Sequence, residues 1–222
     1  MAGELFILEH VFFNYPKGKT ILNDVSISLA SSGFYFVTGP SGSGKSTFLR
    51  LFCRLEEPVS GKIFFSGKLL NSLPPPSLRQ RVGYVQQAPI VVAGPVLKNL
   101  LLPFTFTVNK DRKPPTEIKL REMMDDFFLE DVPFDQIAET LSIGQKQRLC
   151  FIRAMLLEPE VMLMDEPTSA LDKKNADIVI QMARKLNRDK NVAVIIVSHN
   201  EKDGLDKDST IIQVKNGKVS LP

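Results

Sequence analysis

Three short apolar runs narrow what this chain can become: Phe34-Tyr35-Phe36-Val37-Thr38, Val161-Met162-Leu163-Met164 and Val192 to Val197. None alternates apolar with polar residues, so each needs burial on both faces. Strands of a parallel sheet lying between layers of helix meet that need. Each run also ends in a polar or glycine-rich turn, GPSGSGKST, DEPTSALD and SHNEKD respectively. In open parallel sheets ligands bind beyond the carboxyl ends of the strands. The pattern therefore predicts three polar turns gathered along one sheet edge.

The first 30 residues read differently. Leu5 to Tyr15 and Ile21 to Leu29 read as strands around Pro16-Lys17-Gly18-Lys19, and Ile63-Phe64-Phe65 and Val82 to Val85 add two shorter ones. Together they predict a smaller antiparallel sheet beside the parallel one. Residues 88 to about 155 are richer in helical pattern, as in Glu117 to Leu129 with apolar Ile118, Leu120, Met123, Met124, Phe127 and Phe128. This predicts a helical subdomain inserted into the sheet domain. Residues 1–222 then form one α/β domain, a size that buries roughly 70–75% of the surface its unfolded chain exposes.

Charge is nearly balanced, with 28 basic and 25 acidic residues and a net +3. That bias is too weak to make nucleic acid the main partner, and no direct nucleic-acid binding is expected. Cys53 and Cys150 stand far apart and outside any metal-ligand spacing, so both read as small core residues of a protein in a reducing compartment. The start, MAGELFILEH, lacks the basic n-region and long apolar stretch of a signal peptide. No uninterrupted apolar run approaches the ~20 residues that span a bilayer. If the protein serves a membrane, another chain provides the span.

Gly39-Pro40-Ser41-Gly42-Ser43-Gly44-Lys45-Ser46-Thr47 contains the G-x-x-x-x-G-K-S pattern of a P-loop. Glycines let the backbone curl until successive N–H groups face one anion, and the following helix offers its positive N-terminus to phosphates. Lys45 has the reach for β- and γ-phosphates, the Ser46 hydroxyl suits Mg²⁺, and Thr47 adds a phosphate contact. Asp165 and Glu166 close the second apolar run at the same predicted edge. Asp165 suits Mg²⁺ through water, since that ion keeps several waters and few protein carboxylates. Glu166 suits the general base that polarises an attacking water. His199, after the third run, is placed to hydrogen-bond the γ-phosphate. His10 reads as structural. Tyr15 offers a flat face to adenine.

Leu141-Ser142-Ile143-Gly144-Gln145-Lys146-Gln147-Arg148 resembles the LSGGQ signature of ABC (ATP-binding cassette) ATPases. In the same resemblance Tyr15 matches the aromatic A-loop position, Gln87 the Q-loop, Ser169-Ala170-Leu171-Asp172 the D-loop and Ser198-His199 the switch histidine. The family spacing favours Gln87 over Gln86. Ile143 departs from the usual glycine, which bears on turnover more than on ATP binding. The resemblance implies a P-loop NTPase fold and ATP hydrolysis with Mg²⁺ held by Ser46, Gln87 and Asp165. It also implies a head-to-tail homodimer, with each ATP between Lys45 of one copy and Ser142, Gly144 and Gln145 of the other, and with Asp172 nearby.

Among such subunits the chain is similar to small ATPases of bacterial metal-export systems of the Fet iron-exporter type. That likeness lies in LFILEHVFFNY, VTGPSGSGKST, Val96-x-x-Asn99-Leu100-x-x-Pro103-Phe104, IAETLSIGQKQR and DEPTSALD. It implies a cytoplasmic subunit, peripheral on the inner face of the cell membrane, that powers a separate transmembrane permease through which the metal passes. The coupling surface is expected near Gln87 and Ala88 to Leu102, with Ile90, Val91, Val92 and Val96 either cradling a partner helix or packing the helical subdomain. The competing reading is a soluble ABC ATPase such as an iron–sulfur cluster assembly ATPase, which is also a small single cassette.

Overall fold

A computed structural model describes residues 3–16, 18–198 and 206–221. Strands β1 (Glu4–Asn14) and β2 (Thr20–Ala30) pair antiparallel, and β3 (Phe34–Thr38) leads through a glycine-rich loop into helix α1 (Lys45–Phe52). There follow β4 (Ser60–Phe65), β5 (Lys68–Leu69), α2 (Pro75–Arg81) and β6 (Val82–Val85). Between β6 and the next strand lie α3 (Val96–Leu101), α4 (Glu117–Asp126) and α5 (Ile143–Met155) with short 3₁₀ turns. The chain closes with β7 (Val161–Asp165), α6 (Lys173–Lys190), β8 (Ala193–Val197), β9 (Ser209–Lys215) and β10 (Lys218–Ser220).

The strands form two sheets, one in the order β10-β9-β3-β8-β7-β6 and one in the order β2-β1-β4-β5. In the first, β3 pairs parallel with both β8 and β9, and β7 pairs parallel with β8 and β6. The three apolar runs are thus the central neighbours β3, β8 and β7, and their carboxyl ends share one edge, as their composition predicts. Val82 to Val85 departs from expectation. It joins the parallel sheet as its edge strand, in register from Val82 opposite Val161 to Val85 opposite Met164. Gly83 allows this approach, because a Cβ there would stand 2.9 Å from the Met162 sulfur.

Burial on both faces follows the two-residue period of a strand. Tyr35, Val37, Leu163, Ile195 and Val197 face α1 and the antiparallel sheet, while Phe34, Phe36, Met162, Met164, Val194 and Ile196 face the layer of α5 and α6. On the α1 side Phe6 stacks between Phe52 and Phe65, with ring centroids 4.3 and 4.9 Å away. Each such ring removed from water stabilises the fold by about 1.5–3 kcal/mol. Anchoring on both faces fixes where the strand ends point.

In the segment from Glu117, Leu120, Met124 and Phe127 are buried, but Ile118 is 75% exposed and Phe128 also faces outward. Two residues along a helix is about 200° of rotation, so Ile118 falls opposite Leu120. The helix ends at Asp126, ahead of the left-handed Phe128 (φ 57°). Cys53 and Cys150 are buried and free, in keeping with a core role.

Candidate functional site

The loop after β3 turns on glycines that no other residue replaces cheaply. Gly39 has φ 145° and a Cβ there would lie 2.0 Å from the Val214 carbonyl oxygen; at Gly44 (φ 102°) it would lie 2.6 Å from an Ile21 methyl. The chain then enters α1 with no acidic residue in its first turn, so the N–H groups and dipole at that end suit an anion. Lys45 is only 4% exposed, and its ammonium donates to the carbonyl oxygens of Gly39 (2.9 Å) and Pro40 (3.0 Å). Among the described residues Ser43 Oγ is a buried hydroxyl without a hydrogen-bond partner. An unspent donor beside a curled, glycine-rich backbone fits a phosphate group.

Strand β7 delivers the carboxylates. Asp165 is buried, and its Oδ1 accepts from Ser46 Oγ at 2.8 Å, which ties the start of α1 to the end of β7. Its Oδ2 accepts from the Tyr84 hydroxyl at 2.9 Å, with the Arg50 guanidinium 4.0 Å away. Glu166 follows in a left-handed conformation (φ 49°), its N–H bonded to the Val197 carbonyl of β8. Strained backbone of this kind in a non-glycine residue concentrates at functional sites. Here it turns the carboxylate toward Gln87, whose Nε2 donates to Glu166 Oε2 (2.8 Å) and Ser169 Oγ (3.2 Å). Burial pushes the Tyr84 hydroxyl up to about 12; Arg50 opposes the rise and Asp165 adds to it.

Tyr15 lies at the rim of the phosphate loop. Its ring meets Phe13 edge-on at 4.9 Å and its hydroxyl lies 3.1 Å from Thr47 Oγ1. His10 pairs instead with Asp24, both side chains exposed, away from these groups. His199 lies outside the described residues.

Ser142, Gly144, Gln145 and Asp172 form a second group. Ser142 caps α5: its Oγ accepts from the Gln145 N–H (3.2 Å), and Gln145 Oε1 accepts from the Ser142 N–H (2.9 Å). Asp172 caps α6 by accepting from the Asn175 N–H and side-chain amide, which holds its carboxyl below the usual range. Asn175 bridges the two helix starts. Its Oδ1 accepts from Arg148 at 2.7 Å and sits where a Cβ on Gly144 would come within 2.9 Å. Gly144 is therefore needed for the approach of α5 to α6. Ile143, half-exposed, stands beside Ser142 on the open side of the helix start.

Tyr84, Arg50 and Asn175 escape a reading of the sequence as site residues, and Ser169 enters it only as part of the D-loop stretch. Tyr84 looks like any aromatic in a short strand, and only the pairing of β6 with β7 carries its hydroxyl to Asp165. A groove of about 680 Å³ opens on the other side of Tyr84, with Leu55, Ile90, Phe106, Val108 and Cys150 in its walls. Four of these, Leu55, Ile90, Phe106 and Val108, are large apolar side chains left exposed. Val96, by contrast, is fully buried and packs the helical layer.

A family model described as ABC transporter matches residues 22–169. The probable iron export ATP-binding protein FetA of Escherichia coli (strain K12) is 36% identical over 195 residues, covering 88% of this chain and 84% of that protein. The carnitine transport ATP-binding protein OpuCA of Listeria monocytogenes is 31% identical over 215 residues; the match takes in 95% of this chain but 53%, about half, of that relative. Among solved structures, the ATP-binding cassette MJ0796, a dimer in a post-hydrolysis state bound to ADP and Pi, is 28% identical with a TM-score of 0.82. That match covers 97% of each chain.

Proposed function

Because the chain belongs to the ABC transporter family and is an ABC ATPase domain with a P-loop NTPase fold, we propose that Lys45, Ser46, Gln87, Asp165, Glu166 and His199 form its hydrolytic centre. The observation that carries this is the double tie across the sheet edge: Ser46 to Asp165 and Gln87 to Glu166, each at 2.8 Å. Phosphate loop, metal carboxylate and general base are thereby held together.

The donor set fits magnesium: a hydroxyl (Ser46), a carboxylate (Asp165) and an amide oxygen (Gln87) are all hard oxygen ligands. When bound, Mg²⁺ neutralises charge on the β- and γ-phosphate oxygens. Lys45 exchanges its two loop carbonyls for those oxygens, and Ser43 Oγ and the loop N–H groups take the rest of the charge. Tyr15 stacks on adenine. Glu166 accepts a proton from the attacking water as oxygen bonds to the γ-phosphorus. The bond to the β–γ bridging oxygen breaks, leaving ADP and inorganic phosphate. His199 holds a γ-phosphate oxygen, and Gln87 orients Glu166.

A second copy completes the site. Ser142 uses only the acceptor side of its hydroxyl in capping α5, so the O–H is free to donate to a γ-phosphate across a dimer interface, with the N–H groups near Gly144 and Gln145 beside it. The dimeric state of MJ0796 supports this arrangement. ATP closes the two copies and its loss parts them, which supplies the stroke that drives a partner.

The stroke serves a separate transmembrane permease, with the chain peripheral on the cytoplasmic face. Among the described residues no helix is long and apolar enough to cross a membrane. The groove beside Tyr84 and Gln86, with its exposed apolar walls, suits a short helix of that permease. It extends the coupling surface beyond the segment 88–102 to Leu55 and Phe106–Asn109. Iron or another metal ion is the proposed cargo, on the likeness to FetA. A tagged pull-down from gently solubilised native membranes tests the assignment. A multi-span membrane protein in about equal amount is the expected companion; soluble companions alone, from demonstrably extracted membranes, would end the transport reading.

A further inference from the structure

Tyr84 belongs to neither recognised motif group, yet it makes one of the two hydrogen bonds that the described residues give to Asp165. Strand β6 lies at the sheet edge, and Tyr84 is opposite Leu163 on β7. Asp165 is two residues further along β7 and so points to the same face. The phenol leans along the ladder until its hydroxyl donates to Asp165 Oδ2 at 2.9 Å. Arg50, one turn beyond Ser46 on α1, lies beside the same hydroxyl and 4.0 Å from the same carboxylate oxygen. The hydroxyl thus has a cation on its acceptor side and a carboxylate on its donor side, which fixes the direction of donation.

The consequence lies in the carboxylate's rotation. With Oδ2 held by Tyr84, Oδ1 is turned toward Ser46 Oγ, 2.8 Å away. Ser46 and Asp165 are two of the residues assigned to magnesium above, Asp165 through water. We infer that Tyr84 is a positioning residue for the metal carboxylate: its hydroxyl locks Asp165 so that Oδ1 stays beside Ser46 Oγ, the hydroxyl turned to the metal and the carboxylate to the metal's water. This rests on the proposed magnesium site. Residues that hydrogen-bond a metal ligand from behind set its orientation, and their loss costs about 10–100-fold in metal affinity.

Tyr84→Phe removes the hydroxyl and keeps the ring that walls the groove. Mn²⁺ binding to the complex of the full chain with ADP, followed by the loss of the free-ion EPR signal and by Mg²⁺ competition, reads the site without turnover. The Phe variant is expected to bind ADP in EDTA as the wild type does and to need about 10-fold more Mn²⁺ or Mg²⁺ for half-saturation. In turnover the effect should appear as a raised Mg²⁺ requirement, with kcat recovered when Mg²⁺ is saturating. A Phe variant within twofold of wild-type Mn²⁺ affinity overturns the inference. Lys45→Ala separates the two levels. If it loses ADP while Tyr84→Phe keeps wild-type metal affinity, the phosphate site stands and only the role of Tyr84 falls. If Lys45→Ala binds ADP normally, the underlying assignment is overturned, and the inference with it.

Discussion

Replacing Ser142 in two ways separates its work as a helix cap from its proposed work at a dimer interface. The hydroxyl oxygen accepts from Gln145 N at 3.2 Å, while Gln145 closes the box by accepting from Ser142 N. Ser142→Ala removes the first bond and leaves the second. Loss of an N-cap hydroxyl costs about 1 kcal/mol, which for a domain of this size lowers Tm by about 2–4 °C. Ser142→Asp keeps the cap and adds a negative charge at the positive end of α5, favourable by about 0.3–1 kcal/mol. Its Tm should match or exceed that of the wild type.

Turnover should order the two variants the other way. The carboxylate introduced by Ser142→Asp, about 4 Å from a γ-phosphate charge, is repelled by about 4 kcal/mol at an effective dielectric constant of about 20. That depopulates the closed dimer about 10³-fold, at 1.4 kcal/mol per factor of ten. Thermal melts with initial rates of phosphate release at saturating ATP give both readouts. The Ala variant should melt lower and turn over slowly; the Asp variant should melt at least as high and release phosphate at well under a hundredth of the wild-type rate. An Asp variant that hydrolyses ATP at the wild-type rate would refute the interface role. One that melts as low as the Ala variant would refute the capping argument.

Glu166→Gln keeps the bond to Gln87 in kind but removes the proton acceptor, so ATP should still bind and hold a dimer visible by light scattering, while phosphate release nearly stops; an ATP-loaded variant that stays monomeric at high concentration contradicts the sandwich. Asn99→Leu strips the three hydrogen bonds by which the buried Asn99 side chain holds the partly exposed loop at Val92 and Pro95 and should lower unfolding free energy by about 2–4 kcal/mol in urea titrations. Burial raises the Cys53 thiol from its ordinary 9.0 to about 11. The unfolded chain therefore ionises first as pH rises, and stability present below pH 9 is lost up to about pH 11. Wild type should lose about 2–3 kcal/mol more than Cys53→Ala across that window, read from paired urea midpoints.

The parts of the fold legible in the sequence are those whose burial is uniform. β3, β7 and β8 are covered on both faces, so every residue in them is apolar until the polar turn, and the turn marks the site. Val82 to Val85 fails as a guide because VGYV suits any half-covered edge; its partner is settled by which edge of which sheet remains open, a fact about β7 and not about β6. The same limit hides Tyr84 and Asn175, whose roles depend on elements roughly 80 and 30 residues away in the chain. Ile118 misleads because its apolar character is real but its helical phase is wrong. The left-handed turn at Glu166 leaves no mark in residue type at all.

Asn99 and Pro103 put the metal-export likeness in physical terms. They give the Asn-Leu-x-x-Pro-Phe stretch its particular character, and both are committed to backbone geometry. Asn99 binds the loop at Val92 and Pro95, and the Pro103 carbonyl accepts from the buried amide of Asn109, which Gln80 bonds in turn. Pro103 and Asn109 also line the groove. Chains that share this stretch therefore share a groove wall held rigid from behind by buried amides. A rigid wall would select the shape of the proposed permease helix, so the likeness bears first on the kind of permease proposed and only through it on the metal. Substituting the exposed groove residues Phe106 and Ile90 should weaken recovery of the permease while leaving basal ATP hydrolysis intact, because neither side chain reaches the Ser46–Asp165 or Gln87–Glu166 ties.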